Sequence, residues 1–269
     1  MQPDLFDQKK PIIAMAHLGP LPGAPGYDAA GGIDALAEAV AADIEKLQEG
    51  GVDGIMFGNE GDRPYLLKAS PESLAAMSVI VARLKPMLRV PFGVNYLWDP
   101  YATVALAVAT GAAFAREVFT GVYASDMALW QPDCAGALRL RASLGRQDLK
   151  LLFNINAEFA AALDDRPIEQ RAASAVFSSL ADVICVSGPL TGQPADQSDL
   201  QKVKAAVPDR PVLANTGVNI DNVAAILEVA DGCVIGTHFK EHGDTWAPVD
   251  GDRVRRFMDR VGELRERWR

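Results

Sequence analysis

The chain has 269 residues, 49% of them hydrophobic, with 23 Gly, 17 Pro and 3 Cys, enough for a large α/β core. Its 26 Lys and Arg against 35 Asp and Glu leave a net charge of −9, which argues against the basic stripe of a nucleic-acid binder, and no uncharged apolar run approaches the ~20 residues of a membrane span. The first ten residues lack the apolar stretch of a secretion signal, and Cys134, Cys185 and Cys233 fit neither a disulfide framework nor a zinc pattern, so a cytoplasmic protein is expected.

Short runs rich in Val, Ile and Phe alternate with segments of helical period from one end to the other. Residues 11–17 read as a first strand, and 33–49 as a helix with Ile33, Leu36, Val40, Ile44 and Leu47 on one face. A strand at 54–59 precedes a helix at 71–84 that opens on Pro71. The third unit pairs a strand beginning at 91 with a helix at 100–110. The fourth starts at 114, continues through the longest loop (119–131) and ends in a helix at 132–143. Strands at 150–156, 182–188, 211–217 and 232–238 follow, with helices near 167–180, 197–206, 220–229 and 251–267. Eight strand–helix units in about 250 residues predict one domain, a (β/α)8 TIM barrel. An open doubly wound sheet has fewer strands and no closing repeat.

In such a barrel the working face is formed by the C-terminal ends of the strands, and the polar residues gather there. His17 ends the first strand and Glu60 follows the second. Asn95 lies on the third, Arg116 and Glu117 on the fourth with Asp126 beyond, and Asn154, Asn156 and Glu158 finish the fifth. Glu60 and Glu117 form a carboxylate pair suited to acid–base work. Strand alternation lets only one of Arg116 and Glu117 point inward. Asn95 and Asn156 are expected to orient hydroxyls. His17 and His238 end strands that become neighbours on closure. With Glu60 they are the weak candidates for a divalent metal, although nothing in the sequence requires a cofactor.

Asn215, Thr216, Gly217 and Val218 after strand seven, and Gly236 and Thr237 after strand eight, occupy the phosphate-binding position of many barrels. Lys240 would add a charge there, and Ser187, Gly188 and Thr191 form a small polar loop nearby. No lysine lies mid-strand, which disfavours a Schiff-base aldolase. Trp98, Trp130 and Trp246 are expected in loops, over the mouth or at a subunit contact.

Several segments together resemble the BtpA family, whose namesake is a photosystem I biogenesis protein. They are 16–25 (AHLGPLPGAP), 51–62 (GVDGIMFGNEGD), 187–192 (SGPLTG), 215–222 (NTGVNIDN), 231–240 (DGCVIGTHFK) and 248–258 (PVDGDRVRRFM). The resemblance spans nearly the whole chain and implies a phosphate-binding type of TIM barrel. It leaves the reaction open, because members are associated both with photosystem I and with sugar-utilisation gene clusters. Three departures stand at the mouth: Asn156-Ala157-Glu158 where the family has a Lys-His pair, Leu97-Trp98-Asp99 for Arg-Asn-Asp, and Asn215-Thr216-Gly217 for Gly-Ser-Gly. The expected function is acid–base chemistry, hydrolysis or isomerisation or lyase chemistry, on a phosphorylated sugar or nucleoside-like anion by a homo-oligomer. The alternative is a non-catalytic assembly factor.

Overall fold

The computed structural model describes residue 6 and residues 8–267; residues 1–5 and 7, which carry part of the reading of the N-terminus, lie outside it. In chain order its first elements are β1 (Ile12–His17), α1 (Gly32–Glu49), β2 (Gly54–Gly58), α2 (Pro71–Leu84), β3 (Phe92–Asn95), α3 (Pro100–Thr110) and β4 (Phe114–Glu117). Then come β5 (Tyr123–Ser125), β6 (Ala128–Trp130), α4 (Cys134–Ser143), β7 (Lys150–Asn154), β8 (Ala160–Ala162) and α5 (Ile168–Phe177). The last are β9 (Val183–Val186), α6 (Gln197–Ala206), β10 (Val212–Ala214), α7 (Val223–Val229), β11 (Gly232–Ile235) and α8 (Gly251–Glu266). Eight parallel strands close in the order β1-β11-β10-β9-β7-β4-β3-β2. β1 seals the ring, with Ile12 opposite Cys233 on one side and His17 opposite Gly58 on the other. The fold is the TIM barrel that the alternation implied.

Local chemistry sets the helix ends. The Ser70 hydroxyl accepts from Ser73 N–H at the start of α2, where Pro71 needs no donor partner. Asp99 caps α3 through the N–H groups of Tyr101 and Ala102, and its other oxygen accepts from Ala69 N–H. The cap therefore also ties the loop before α2 to the end of β3.

Strand alternation divides the apolar residues between two cores. Ile12, Ala14, Ile55, Phe57, Val94, Ala115 and Leu151 face the helices, whereas Ile13, Met15, Met56, Phe114, Leu152, Cys185, Leu213 and Val234 fill the barrel. Phe6 closes the lower end, with its ring 5.8 Å from that of Phe114. Gly93 leaves the room that Phe114 occupies, since a Cβ there would lie 2.2 Å from the ring.

The long loop after β4 departs from the sequence reading. It folds as the β5–β6 hairpin, and β8, from the segment after β7, pairs with β5 to complete a three-stranded antiparallel sheet. Beneath that sheet Trp98, Val118, Tyr123, Trp130 and Ala157 form their own apolar cluster. Trp98 and Trp130 are thus buried, while Trp246 remains half exposed. Among the described residues no helix is long and apolar enough to cross a membrane.

Candidate functional site

Above the apolar interior the same strands become polar. A cleft of about 680 Å³, measured out to its open mouth, is lined by His17, Glu60, Asn95, Arg116, Glu117, Asn154, Glu158, Thr191, Asn215 and Thr237, among others. Two glycines make room for its acid–base groups. The Glu60 carboxyl folds back over Gly58, where a Cβ would come within 2.6 Å of both oxygens, and the His17 ring occupies the space that a side chain at Gly236 would need.

The loop that carries Glu60 is held from behind by a chain of hydrogen bonds. Asp62 accepts from Leu21 N–H at 2.7 Å, the Asn59 amide at 3.1 Å and the Ser73 hydroxyl at 2.8 Å, and Asn59 Oδ1 accepts from Leu97 N–H at 2.7 Å. These bonds knit the loops after β1, β2 and β3. Burial pushes the Glu60 carboxyl up to about 7, against the opposing pull of Arg116. Burial, reinforced by the charge of Lys240, holds the His17 imidazole down to about 3. His17 is therefore neutral near pH 7, and its Nε2, 3.7 Å from Glu60 Oε1, faces a carboxyl that is itself part-protonated rather than an ion-pair partner. Glu60 Oε2 is buried and accepts nothing.

Across the cleft Glu117 is equally buried but fully engaged. One oxygen accepts from Asn95 Nδ2 at 2.6 Å and the other from Val118 N–H at 2.7 Å. Burial still lifts this carboxyl to about 7. Arg116 lies beside it, donating to Asn95 Oδ1 and, at 2.8 Å, to Asn215 Oδ1. Both Arg116 and Glu117 therefore line the cleft, contrary to the alternation argument. Arg116 points inward in phase with Phe114, and Glu117, the last residue of β4, turns over the rim.

A second chamber of about 520 Å³ adjoins the first. Gly192, Gly217, Gly236 and Thr237 belong to both, and Val218, Asn219, His238 and Arg253 line only the second. Gly217 has φ +64°, and a Cβ on it would lie 2.0 Å from Pro194 N, so the chain passes here only as glycine. Arg253 from α8 brings the cation, donating to the His238 carbonyl at 2.7 Å.

Four expectations are corrected. Lys240 is absent from the lining of both chambers; it is buried 2.8 Å from Asp43 of α1, whose other oxygen accepts from Val249 N–H. It pins the segment after β11 rather than reaching an anion. His238 lines the second chamber with Nδ1 against Arg253, so it shares no metal set with His17 and Glu60. Among the described residues no three His, Cys, Asp or Glu side chains are grouped to hold a metal ion. Asp126 is exposed at the tip of the β5–β6 hairpin. Asn156 stands outside the cleft lining and clasps the next loop through both Ser187 backbone groups, at 2.6 and 2.9 Å.

Ser187 and Gly188 brace the wall from behind: the Ser187 hydroxyl accepts from Asn215 Nδ2, and Gly188 N–H donates to the Thr216 hydroxyl. Thr191 lines the cleft and donates to Glu158 at 2.6 Å. Sequence reasoning placed Asn154 and Glu158 at the working face without giving them a role and offered Trp98 over the mouth or at a subunit contact, while Tyr65, which also lines the cleft, was missed.

The chain matches the BtpA family model over residues 8–263. It is 45% identical over 262 residues to the sgc region protein SgcQ of Escherichia coli K12, covering 97% of this chain and 98% of that one. It is 31% identical to the photosystem I biogenesis protein BtpA of Synechocystis, covering 96% and 90%. Solved barrels share the fold at low identity. The Thermoplasma acidophilum geranylgeranylglyceryl phosphate synthase, in complex with its substrate sn-glycerol-1-phosphate, superposes with a TM-score of 0.59 at 15% identity and 94% coverage of each chain. Thermus thermophilus phosphoribosyl anthranilate isomerase does so with a TM-score of 0.58 at 13% identity, covering 94% of this chain and 99% of its own. By sequence, over nearly its whole length, the chain belongs to the BtpA family.

Proposed function

We propose that this protein is an enzyme that acts on a phosphorylated sugar or nucleoside-like substrate by acid–base chemistry at the C-terminal mouth of the barrel. One observation carries the reading: the chamber holding Arg253 and the cleft holding Glu60 share a wall of Gly192, Gly217, Gly236 and Thr237. A single elongated ligand can thus place an anionic end against glycine backbone and Arg253 while its other end meets Glu60. The phosphate-bearing ligand of the geranylgeranylglyceryl phosphate synthase supports the same use of the fold.

Glu60 is the group that moves the proton. With its carboxyl near 7 it exists in both forms at neutral pH, the condition under which a carboxyl serves best as acid or base. Neutral His17 stands beside the protonated form with its Nε2 3.7 Å from Glu60 Oε1, and Asn95 and Glu117 hold their side of the cleft in register. Among the described residues no lysine lines either chamber, which favours hydrolysis or isomerisation over Schiff-base chemistry.

The test is a thermal-shift screen with sugar phosphates, nucleosides, inorganic phosphate and divalent cations. A phosphorylated ligand at a hundredfold its Kd should add about 2.7 kcal/mol. That gain should vanish in Gly236→Asp, which puts a carboxylate between the chambers, and turnover of the hit should fall about 10²–10⁴-fold in Glu60→Gln. A screen in which no phosphorylated ligand, nucleoside or phosphate raises the melting temperature overturns the proposal. The non-catalytic assembly role, supported by the name of the Synechocystis relative, would then stand.

A further inference from the structure

Arg116 is a buried cation whose guanidinium touches no carboxylate, although the cleft carboxyls of Glu60, Glu117 and Glu158 lie close enough to feel its charge. Its guanidinium has five N–H donors; the bonds it makes go to Asn95 Oδ1 and Asn215 Oδ1, both neutral carbonyls. The orientation of those carbonyls is imposed from behind, because the Asn95 amide donates to Glu117 and the Asn215 amide donates to the Ser187 hydroxyl. Among the described residues no carboxylate lies within ion-pair distance of Arg116. Charged side chains are rarely buried unless paired. Around it three buried polar atoms of the same cleft have no partner among the described residues: the donor Trp98 Nε1 and the acceptors Glu60 Oε2 and Asn154 Oδ1. Trp98 holds its position at φ +93°, a strained conformation for a bulky residue and one that gathers at ligand sites.

We propose that the cleft floor is a carboxylate subsite, in which Arg116 and the Trp98 indole N–H receive the oxygens of a substrate carboxylate while Glu60 faces the adjoining hydroxyl-bearing carbon. The inference rests on the placement of phosphate in the Arg253 chamber and deepens it: the substrate is acidic at both ends, a phosphorylated sugar acid rather than a neutral phosphosugar. A carboxylate supplies the acceptor that the indole lacks and the negative charge that the two neutral carbonyl partners of the guanidinium do not, in the charge-assisted geometry that arginine favours.

Matched pairs of probes test it by calorimetry on the whole protein: glycerol 3-phosphate against 3-phosphoglycerate, and sorbitol 6-phosphate against 6-phosphogluconate. In at least one pair the carboxylate member should bind about ten- to a hundredfold more tightly, the worth of a hydrogen bond to a charged group. In Asn215→Asp, which gives Arg116 an internal counter-ion at almost unchanged size, that preference should disappear and the unliganded protein should melt higher. Arg116→Gln should abolish the preference as well. Equal affinity within both pairs overturns the carboxylate subsite and leaves the phosphate reading intact. No binding of any of the four overturns both, and a preference that survives Asn215→Asp and Arg116→Gln overturns the role given to Arg116. The wild-type comparison decides even if neither variant folds.

Discussion

The lower interior of the barrel and its mouth are built on the same strands, one inward position apart. On β4 the inward residue changes from Phe114 to Arg116, on β7 from Leu152 to Asn154, and from β10 into its loop from Leu213 to Asn215. On β1 Ile13 and Met15 give way to His17. On β1, β4 and β7 the strand continues through both levels, so there the change of role comes from the side chains. Below, burial of apolar area stabilises the fold. Above, burial raises the Glu60 and Glu117 carboxyls, lowers the His17 imidazole and leaves polar atoms unmatched, which costs stability and marks a candidate site. Stability and chemistry are thus separated by height along the barrel axis.

Four substitutions sharpen or break that contrast. The largest effect is expected below, from Phe114→Ala, which empties the space that Gly93 cedes. It should cost about 3–5 kcal/mol, seen as a lower urea midpoint, while the ligand response at the mouth survives in the folded fraction. A loss under about 1 kcal/mol would mean that the lower core is not close-packed.

Lys240→Met comes next. It strands Asp43 without its partner, 2.8 Å away in the wild type, and should cost roughly 3 kcal/mol. Because Lys240 pins the segment after β11 rather than binding an anion, phosphate affinity in the folded variant should remain. If affinity collapsed with no loss of stability, Lys240 would belong to the mouth after all.

Glu60→Gln reverses the sign. Glu60 titrates near 7 against an ordinary 4.5, so the fold retains a proton that the unfolded chain releases between those values. Its favourable contribution is full below pH 4.5 and lost as pH rises through 7. The variant should therefore be more stable than wild type at high pH, by about 1–3 kcal/mol, and the gap should close on acidification. His17 works the opposite way. Held to about 3 against an ordinary 6.5, it favours the fold above pH 6.5 and loses that contribution as pH falls. Between pH 4.5 and 6.5 the two oppose each other, and Glu60→Gln should expose a decline on acidification that the wild type masks. Paired denaturation curves across this range would detect it. The smallest effect is expected from Asp126→Ala at the exposed hairpin tip, within about 0.5 kcal/mol and without change in ligand affinity.

Periodicity carried the architecture. The helices 71–84, 100–110 and 197–206 begin and end where the alternation of segments placed them, and Ser70, Asp99 and Asp196 cap them locally. The hairpin and β8 escaped, since Tyr123–Ser125 and Ala160–Ala162 are three residues long and have no apolar alternation of their own. They are strands only because they pair with each other. At the mouth, strand ends pointed to the right layer, and His17, Glu60, Asn95, Glu117 and Asn215 do line it. What could not be read is pairing at a distance. Lys240 meets Asp43 across 197 residues of chain, Asn156 spends its amide on Ser187, and Arg116 depends on two asparagines from other strands. Each of these depends on the closed barrel and on no local pattern.

The aromatic cluster beneath the hairpin has an optical consequence. The Trp98 and Trp130 rings lie 5.2 Å apart at 90° to one another, with Tyr65 and Phe159 against the Trp98 indole. Two indole transitions at that distance and angle couple as excitons, so the protein carries its own chiral chromophore. Trp98 also forms part of the cleft wall. A ligand seated there would perturb one member of the coupled pair, and near-ultraviolet circular dichroism would follow occupancy with no label attached.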